Sequence, residues 1–192
     1  MITWETLGKI NHVMRDQPCY EAIVSKNDRS GKWGDSEDNP IWRVQQQTLY
    51  RWGRHQQYTF KFQTMLDDWQ PRGRVNLWDI HSTVQFDGDI ACNTRDGNLE
   101  ITTVRDKLLY SYPIVPGKWE DWELYIYFVE DHRGKLSLKH NGIEVVNLDG
   151  NPTMAWNTES YFKIGAYVWT SADLNLPSWP DGINYRRMYF NI

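Results

Sequence analysis

Eight polar side chains that could do acid–base or ionic chemistry alternate with apolar residues in three short segments of the sequence. They are Arg43, Gln45 and Gln47 in the first segment, Asp79 and His81 in the second, and Tyr161, Lys163 and Tyr167 in the third. Successive side chains of a β-strand point to opposite faces, so each set would share one face of its strand. If the three strands are neighbours in one sheet, all eight side chains converge in a single groove.

The third segment (YFKIGAYVW) is typical of one strand because aromatic and β-branched residues dominate it. The side chains on its polar face are Tyr161, Lys163, Tyr167 and Trp169. Gly165 leaves a gap between them, and the residues of the other face are all apolar. Two phenols, an ammonium and an indole suit the binding and protonation of a sugar. The alternative is an ordinary half-buried strand with aromatic side chains at its edges.

These residue types fit β-elimination on a uronic acid. Arg, Gln or His neutralises the sugar carboxylate and thereby stabilises the enolate-like charge that develops when the C5 proton leaves. A Tyr or His takes that proton, and a Tyr protonates the leaving glycosidic oxygen. Because an ordinary Tyr has a pKa of about 10, Tyr161 would need a cationic neighbour to act as a base, and Lys163 lies on the same face. The reaction needs no metal ion. A structural calcium ion stays an open alternative that no oxygen-rich loop of recognisable spacing requires.

The elements that would position these residues are short strands separated by turn residues, with almost no helix. The predicted strands are 20–25, 41–50, 57–66, 75–84, 90–94, 98–104, 106–116, 119–130, 135–140, 143–148, 161–169 and 185–192. Asp87-Gly88, Asp96-Gly97 and Asn141-Gly142 are hairpin turn signals. Residues 1–16 are expected to form a short amphipathic helix or an irregular lead-in.

This pattern predicts an all-β fold, a two-sheet antiparallel β-sandwich of the jelly-roll type found in concanavalin A-like lectins and glucanases. No internal repeat or linker divides the sequence, so we expect a single domain over residues 1–192.

Composition limits the classes of partner. The net charge of -4 gives no global basic field for nucleic acid, and no apolar run is long enough to span a membrane. The 11 Trp and 11 Tyr exceed what one sandwich core uses, which favours a carbohydrate partner stacked on aromatic rings. Cys19 and Cys92 are expected to be buried thiols rather than a disulfide. Residues 1–16 lack the apolar core of a signal peptide.

The segment YFKIGAYVW resembles the YFKxGxY signature of the jelly-roll polysaccharide lyases, best known from the alginate lyases of family 7. The heparin-lyase-like and glucuronan-lyase families share this sandwich. Arg43-Val44-Gln45 lies where that group carries an Arg-x-Glu strand, and Asp79-Ile80-His81 lies where it carries a Gln-x-His strand. The closing segment 187–190 (RMYF) and the segment 117–119 (GKW) also resemble parts of these families, so the similarity covers residues 20–192.

The resemblance implies roles for individual residues. Tyr161 would be the catalytic Tyr, His81 the neutraliser or base, and Arg43 a carboxylate contact. Lys163 would bind substrate. From their places on the same strand faces, Tyr167, Gln45, Gln47, Asp79 and Trp169 are also expected to bind substrate. Asp79 departs from the pattern, because a carboxylate replaces the family's Gln and would repel a uronate unless it is protonated or paired. Gln45 or Gln47 is then expected to supply the missing amide.

The resulting prediction is a metal-independent polysaccharide lyase that cleaves a uronate polymer in an open groove. Its partner would be an acidic polysaccharide, with a monomeric protein acting outside the cell, in the periplasm or on a virion. The alternatives are a carbohydrate-binding module of the same fold and a structural adhesion domain. A hydrolase is disfavoured, since the carboxylates of Glu120-Asp121-Trp122-Glu123 do not have the spacing of the sandwich glucanases.

Overall fold

In the residues described by the computed structural model, fourteen β-strands form two antiparallel sheets, and there is no helix. These residues are 3–25, 42–67, 74–84, 89–103, 107–168 and 185–192. Each sheet contains seven of the strands. The predicted two-sheet antiparallel sandwich is therefore confirmed.

Sheet A carries the three segments singled out in the sequence. In spatial order its strands are β1 (Trp4–Leu7), β4 (Trp42–Thr48), β13 (Ser160–Val168), β6 (Val75–Ser82), β7 (Ile90–Arg95), β8 (Asn98–Thr103) and β9 (Leu108–Pro113). Sheet B packs behind it. Its strands are β12 (Ile143–Asp149), β11 (Lys135–His140), β10 (Trp119–Tyr127), β5 (Gln57–Asp67), β14 (Tyr185–Asn191), β3 (Pro18–Ser25) and β2 (Ile10–Met14).

The prediction for residues 1–16 is wrong, because this segment contributes an edge strand to each sheet. β1 pairs with β4 in sheet A, and β2 pairs with β3 in sheet B. Gly8 lies between β1 and β2 with a φ of 80°, a backbone conformation that other residues rarely adopt. Both segments are too short to show a strand pattern of their own, and pairing with longer strands satisfies their backbone groups.

The core between the sheets is rich in aromatic side chains. Trp78 and Phe162 of sheet A face Trp122 and Phe62 of sheet B, with ring centroids 5.4 Å apart for Phe62–Trp78 and 5.6 Å apart for Trp78–Trp122. All four side chains are buried. Burial of one such side chain contributes about 1.5–3 kcal/mol, so this cluster holds the two sheets face to face.

Two of the predicted turns have the expected geometry. The φ angles are 47° and 83° at Asp96-Gly97 and 50° and 80° at Asn141-Gly142, positive at both residues as in a type I′ hairpin turn. Asp87-Gly88 lies outside the described residues. Cys19 and Cys92 are both free and buried, which confirms their prediction as thiols.

Candidate functional site

The three strands that carry the predicted site residues lie side by side in sheet A, in the order β4, β13, β6. Lys163 of β13 is opposite Gln47 on one side and Asp79 on the other. The residues that alternate with these polar positions, such as Phe162 and Ile164, are buried in the core. The polar side chains therefore share the outer face of sheet A, as the alternation predicts, and form one continuous polar surface, here called the groove face.

Tyr161 and His81 lie together at one end of the groove face. They are directly opposite each other on β13 and β6, with ring centroids 5.5 Å apart. The Lys163 ammonium lies 5.1 Å from the centroid of the Tyr161 ring, and the Arg51 guanidinium lies 4.1 Å from it. A phenol, an imidazole and two cations thus surround one small region, which is suited to acid–base chemistry on an anionic ligand.

Arg43 and Tyr167 lie at the other end of the groove face. They are opposite each other on β4 and β13, and the Arg43 guanidinium lies 4.4 Å from the centroid of the Tyr167 ring. Tyr167 follows Tyr161 by six residues on β13, which corresponds to roughly 20 Å of extended strand. Arg43 therefore contacts Tyr167 rather than Tyr161, although its charge still acts on Tyr161.

Gly165 lets a side chain cross β13 between these two ends. Gln45 is opposite Gly165, and its Nε2 donates a hydrogen bond of 3.3 Å to Oδ1 of Asn76 on the far side of β13. A Cβ added at Gly165 would lie 2.3 Å from the backbone oxygen of Val44. The absence of a side chain is thus what allows close approach of β4 and the passage of Gln45.

Asn76 belongs to the groove face although strict alternation would place it with Trp78 in the core. The pairing of β6 shifts register between these two residues, which reverses the phase of the strand. The Asn76 amide donates to Oδ1 of Asn93 at 3.4 Å, and Asn93 donates to Thr102 at 3.1 Å. No local pattern marks the shift, so sequence reasoning missed this row of buried amides.

Asp89 is the carboxylate that orients His81. Its Oδ2 lies 3.3 Å from Nδ1 of His81 and accepts a hydrogen bond of 3.0 Å from the backbone N–H of Ser82. Its Oδ1 accepts from the Ser82 hydroxyl at 2.8 Å. Asp89 is buried and fixed on both oxygens, so it holds the imidazole in one orientation. Its only sequence signal was its place beside the turn at Asp87-Gly88.

Asp79 is half-buried between Lys163 on β13 and Ala91 on β7. Its Oδ1 is a buried oxygen that has no hydrogen-bond partner within the described ranges. Its charge acts on Tyr161, and a uronate bound on the groove face would also carry a negative charge.

Tyr161 is a neutral phenol at pH 7. Burial raises its pKa to about 12, and the charge of Asp79 acts in the same direction. The guanidinium groups of Arg51 and Arg43 lower the pKa but do not outweigh these effects. Burial and Asp79 thus favour the protonated form, so the group is suited to donate a proton rather than to accept one.

The remaining predicted residues have separate surroundings. The Gln47 amide donates a hydrogen bond of 2.6 Å to Oε2 of Glu5 on the edge strand β1. Trp169 lies outside the described residues. Trp52, Trp78 and Trp122 are buried in the core. The aromatic rings next to the cations Arg43, Arg51 and Lys163 are those of Tyr161 and Tyr167.

Neither a metal cluster nor a membrane-spanning helix is found in the described segments. No three His, Cys, Asp or Glu side chains there lie close enough together to hold a metal ion. Those segments also contain no helix that is long and apolar enough to cross a membrane. The expectation about cofactors stays a prediction.

Solved structures of polysaccharide lyases share this fold. An endo-β-1,4-glucuronan lyase from the fungus Trichoderma reesei matches with a TM-score of 0.63 and 13% identity, over 100% of this chain and 87% of that one. The alginate lyase AlgAT5 of polysaccharide lyase family 7 matches with a TM-score of 0.67 and 14% identity, over 93% and 78%. The alginate lyase vAL-1 from Chlorella virus matches with a TM-score of 0.60 and 11% identity, over 98% and 90%. No family model and no curated protein sequence matches the chain.

The structural similarity, at these low identities, establishes a common fold alone, and the chemistry follows from the side chains of this chain. The groove face offers a neutral phenol, an imidazole fixed by a buried carboxylate, and several cations. That set can bind an anionic polymer and transfer protons on it.

Proposed function

We propose that this chain is a polysaccharide lyase that cleaves a uronic-acid-containing polysaccharide by β-elimination in the groove of sheet A. The observation that carries the proposal is that Tyr161 and His81 are opposite each other, with ring centroids 5.5 Å apart. The cationic side chains of Arg51 and Lys163 lie beside this pair. The fold shared with glucuronan and alginate lyases supports it. The polymer would be met outside the cell or in the periplasm.

His81 is the proposed base. When Nδ1–H donates to the buried Asp89 carboxylate, the neutral imidazole carries its lone pair on Nε2. That nitrogen takes the C5 proton of the uronate, and Asp89 stabilises the imidazolium that forms. Asp89 thus plays the part that the buried Asp plays beside the catalytic His of a Ser-His-Asp triad.

Tyr161 is the proposed acid. Because its pKa is raised to about 12, the phenol keeps its proton at pH 7 and donates it to the glycosidic oxygen that leaves from C4. The C4–O bond breaks as the C4–C5 double bond forms, so the proton lost at C5 and the proton gained by the leaving oxygen balance. The sequence left open whether a Tyr or a His takes the first proton, and the proposal assigns it to His81.

Positive charge along the groove holds the polymer and stabilises the enolate-like intermediate. Lys163 lies next to the reacting pair, whereas Arg43 and Tyr167 would contact a sugar further along the chain. A linear array of this kind suits a polymer better than a single sugar.

The test is a comparison of Tyr161→Phe with Tyr125→Phe on alginate, polyglucuronate, heparin, hyaluronate and pectin. The ultraviolet absorbance of the unsaturated uronate product reports elimination. We expect the wild type to act on one polymer and Tyr161→Phe to lose at least about 100-fold in rate. Tyr125 lies in sheet B, where its hydroxyl donates to Gln57, so its variant should keep full activity. Full activity of Tyr161→Phe would overturn the assignment.

The second candidate function is a carbohydrate-binding module without catalysis, which the position of Asp79 favours. Its charge lies on the groove face, where it opposes the negative charge that a uronate carries and that grows as the C5 proton leaves. Retention of the wild type on a polysaccharide column, with no unsaturated product from any polymer, would support this function over the lyase.

A further inference from the structure

The loop that follows β4 is fastened to β13 on both sides of Tyr161. The hydroxyl of Thr48 accepts a hydrogen bond of 3.1 Å from the backbone N–H of Phe162. Trp52 and Ser160 exchange two backbone hydrogen bonds, of 2.8 Å and 2.9 Å. The residues just before and just after Tyr161 are thus bonded to the two ends of the segment 48–52, so the residues between those ends lie beside Tyr161.

Arg51 is held above the Tyr161 ring by this arrangement. Its guanidinium lies 4.1 Å from the ring centroid, and Nη1 donates a hydrogen bond to the backbone oxygen of Thr48. The next residue, Trp52, is buried in the core against Phe60. A buried anchor, a backbone hydrogen bond and a ring contact therefore fix a side chain that is itself only half-buried.

Arg51 is also the guanidinium nearest the reacting pair in the described part of the chain. Arg43 is engaged with Tyr167 at the other end of the groove face. On the side of Lys163 away from β4, Asp79 presents a negative charge. A carboxylate bound near Tyr161 is thus repelled from the Asp79 side and attracted toward Arg51.

We propose that Arg51 binds the carboxylate of the uronate that reacts at Tyr161 and His81, and so makes the groove selective for uronates over neutral sugars. The inference rests on the proposed function, because it names the group that recognises the substrate at the same site. A guanidinium presents several N–H donors in a planar fork that matches a carboxylate.

One donor of Arg51 is used by Thr48, and no other hydrogen bond joins the guanidinium to a residue within the described ranges. Its remaining N–H groups are available to a ligand on the groove face. Since this cation lies beside the reacting pair, it also stabilises the negative charge that spreads onto the carboxylate as the C5 proton leaves. It would supply the neutralisation that the resemblance assigned to the amide replaced by Asp79.

The test compares Arg51→Gln and Arg51→Lys with the matched control Arg54→Gln. Arg54 lies in the same loop, but its Nε is paired with Glu130 at 2.8 Å. Calorimetry measures binding of a uronate oligosaccharide and of the same oligosaccharide with its carboxyl groups reduced to alcohols. Turnover of the cleaved polymer gives KM and kcat separately.

We expect Arg51→Gln to weaken uronate binding by about 10- to 100-fold, as for loss of a hydrogen bond to a charged group, and to leave binding of the reduced oligosaccharide unchanged. Arg51→Lys keeps the charge and loses the fork, so its loss should be intermediate. It also tests the inference if the Gln variant fails to fold. Arg54→Gln should bind both ligands as the wild type does.

The inference is overturned if Arg51→Gln binds the uronate as tightly as Arg54→Gln does, or if it loses affinity equally for both ligands. A wild type that binds uronates without cleaving any polymer would refute the lyase, and a selective loss in Arg51→Gln would still support the recognition role. A wild type that neither binds nor cleaves uronates would overturn both.

Discussion

The substitution Gly165→Ala tests how closely β4 and β13 must approach. Gly165 has a φ of 136°, which L side chains rarely adopt, and it is opposite Gln45. An added Cβ would lie 2.3 Å from the backbone oxygen of Val44 and 2.7 Å from the Cα of Gln45. Both contacts are with backbone atoms, so relief requires the two strands to separate rather than a side chain to rotate.

The expected cost follows from two effects. Forcing a non-glycine residue into this backbone conformation costs about 1–3 kcal/mol. Overpacking against a fixed strand costs about 1–3 kcal/mol more. The sum, about 4 kcal/mol, is a large part of a total stability of about 5–15 kcal/mol. Separation of the strands would also break the hydrogen bond from Gln45 to Asn76.

Urea unfolding of Gly165→Ala and Gly53→Ala measures this cost. With a slope of about 2 kcal/mol per molar urea, the midpoint of Gly165→Ala should fall by about 2 M. A Cβ at Gly53 would have no atom within 4 Å, so its variant should stay within about 1 kcal/mol of the wild type. Equal midpoints for the two variants would refute the close approach of the strands.

Three further substitutions test the electrostatics of the protein. Asp79→Asn removes a negative charge near Tyr161, so the pKa of Tyr161 should fall from about 12. Calorimetry should also show about fivefold tighter uronate binding, and weaker binding would contradict the repulsion between Asp79 and a uronate. Asp89→Asn should lower kcat by about 100-fold with little change in KM, because His81 loses its orienting carboxylate. An unchanged kcat would argue against His81 as the base. Burial lowers the pKa of His140 below its ordinary 6.5, so below that pH the unfolded chain binds more protons and the free energy of unfolding falls. Urea titrations should show a smaller fall in His140→Asn, and the same pH dependence in both proteins would exclude His140 as its source.

Much of the fold follows from local sequence patterns. The alternation in β10 predicts which side chains are buried, because a strand repeats every two residues. In β13 it predicts the core face, but Lys163 on the other face is buried as well. Asn141-Gly142 predicts its hairpin because these residues tolerate a positive φ. The strands β1 and β2 were missed, since each is short; β1 gains its hydrogen bonds from β4, far away in the sequence, and β2 pairs with β3 in a hairpin that carries no clear turn signal.

The sequence by itself determined the chemistry available on each strand face, because alternation is a property of neighbouring residues. It predicted that Tyr161 and His81 would point away from the core, and the structure places them opposite each other.

Only the tertiary structure decided which polar groups meet. The strand order and register place Arg43 opposite Tyr167 rather than Tyr161, and a register shift in β6 turns Asn76 onto the groove face. Asp89 and Arg51 reach the site from outside the three predicted segments. Register is set by pairing over long sequence distances, and a shift of one residue reverses the face of every side chain beyond it, so no local pattern could have shown these contacts.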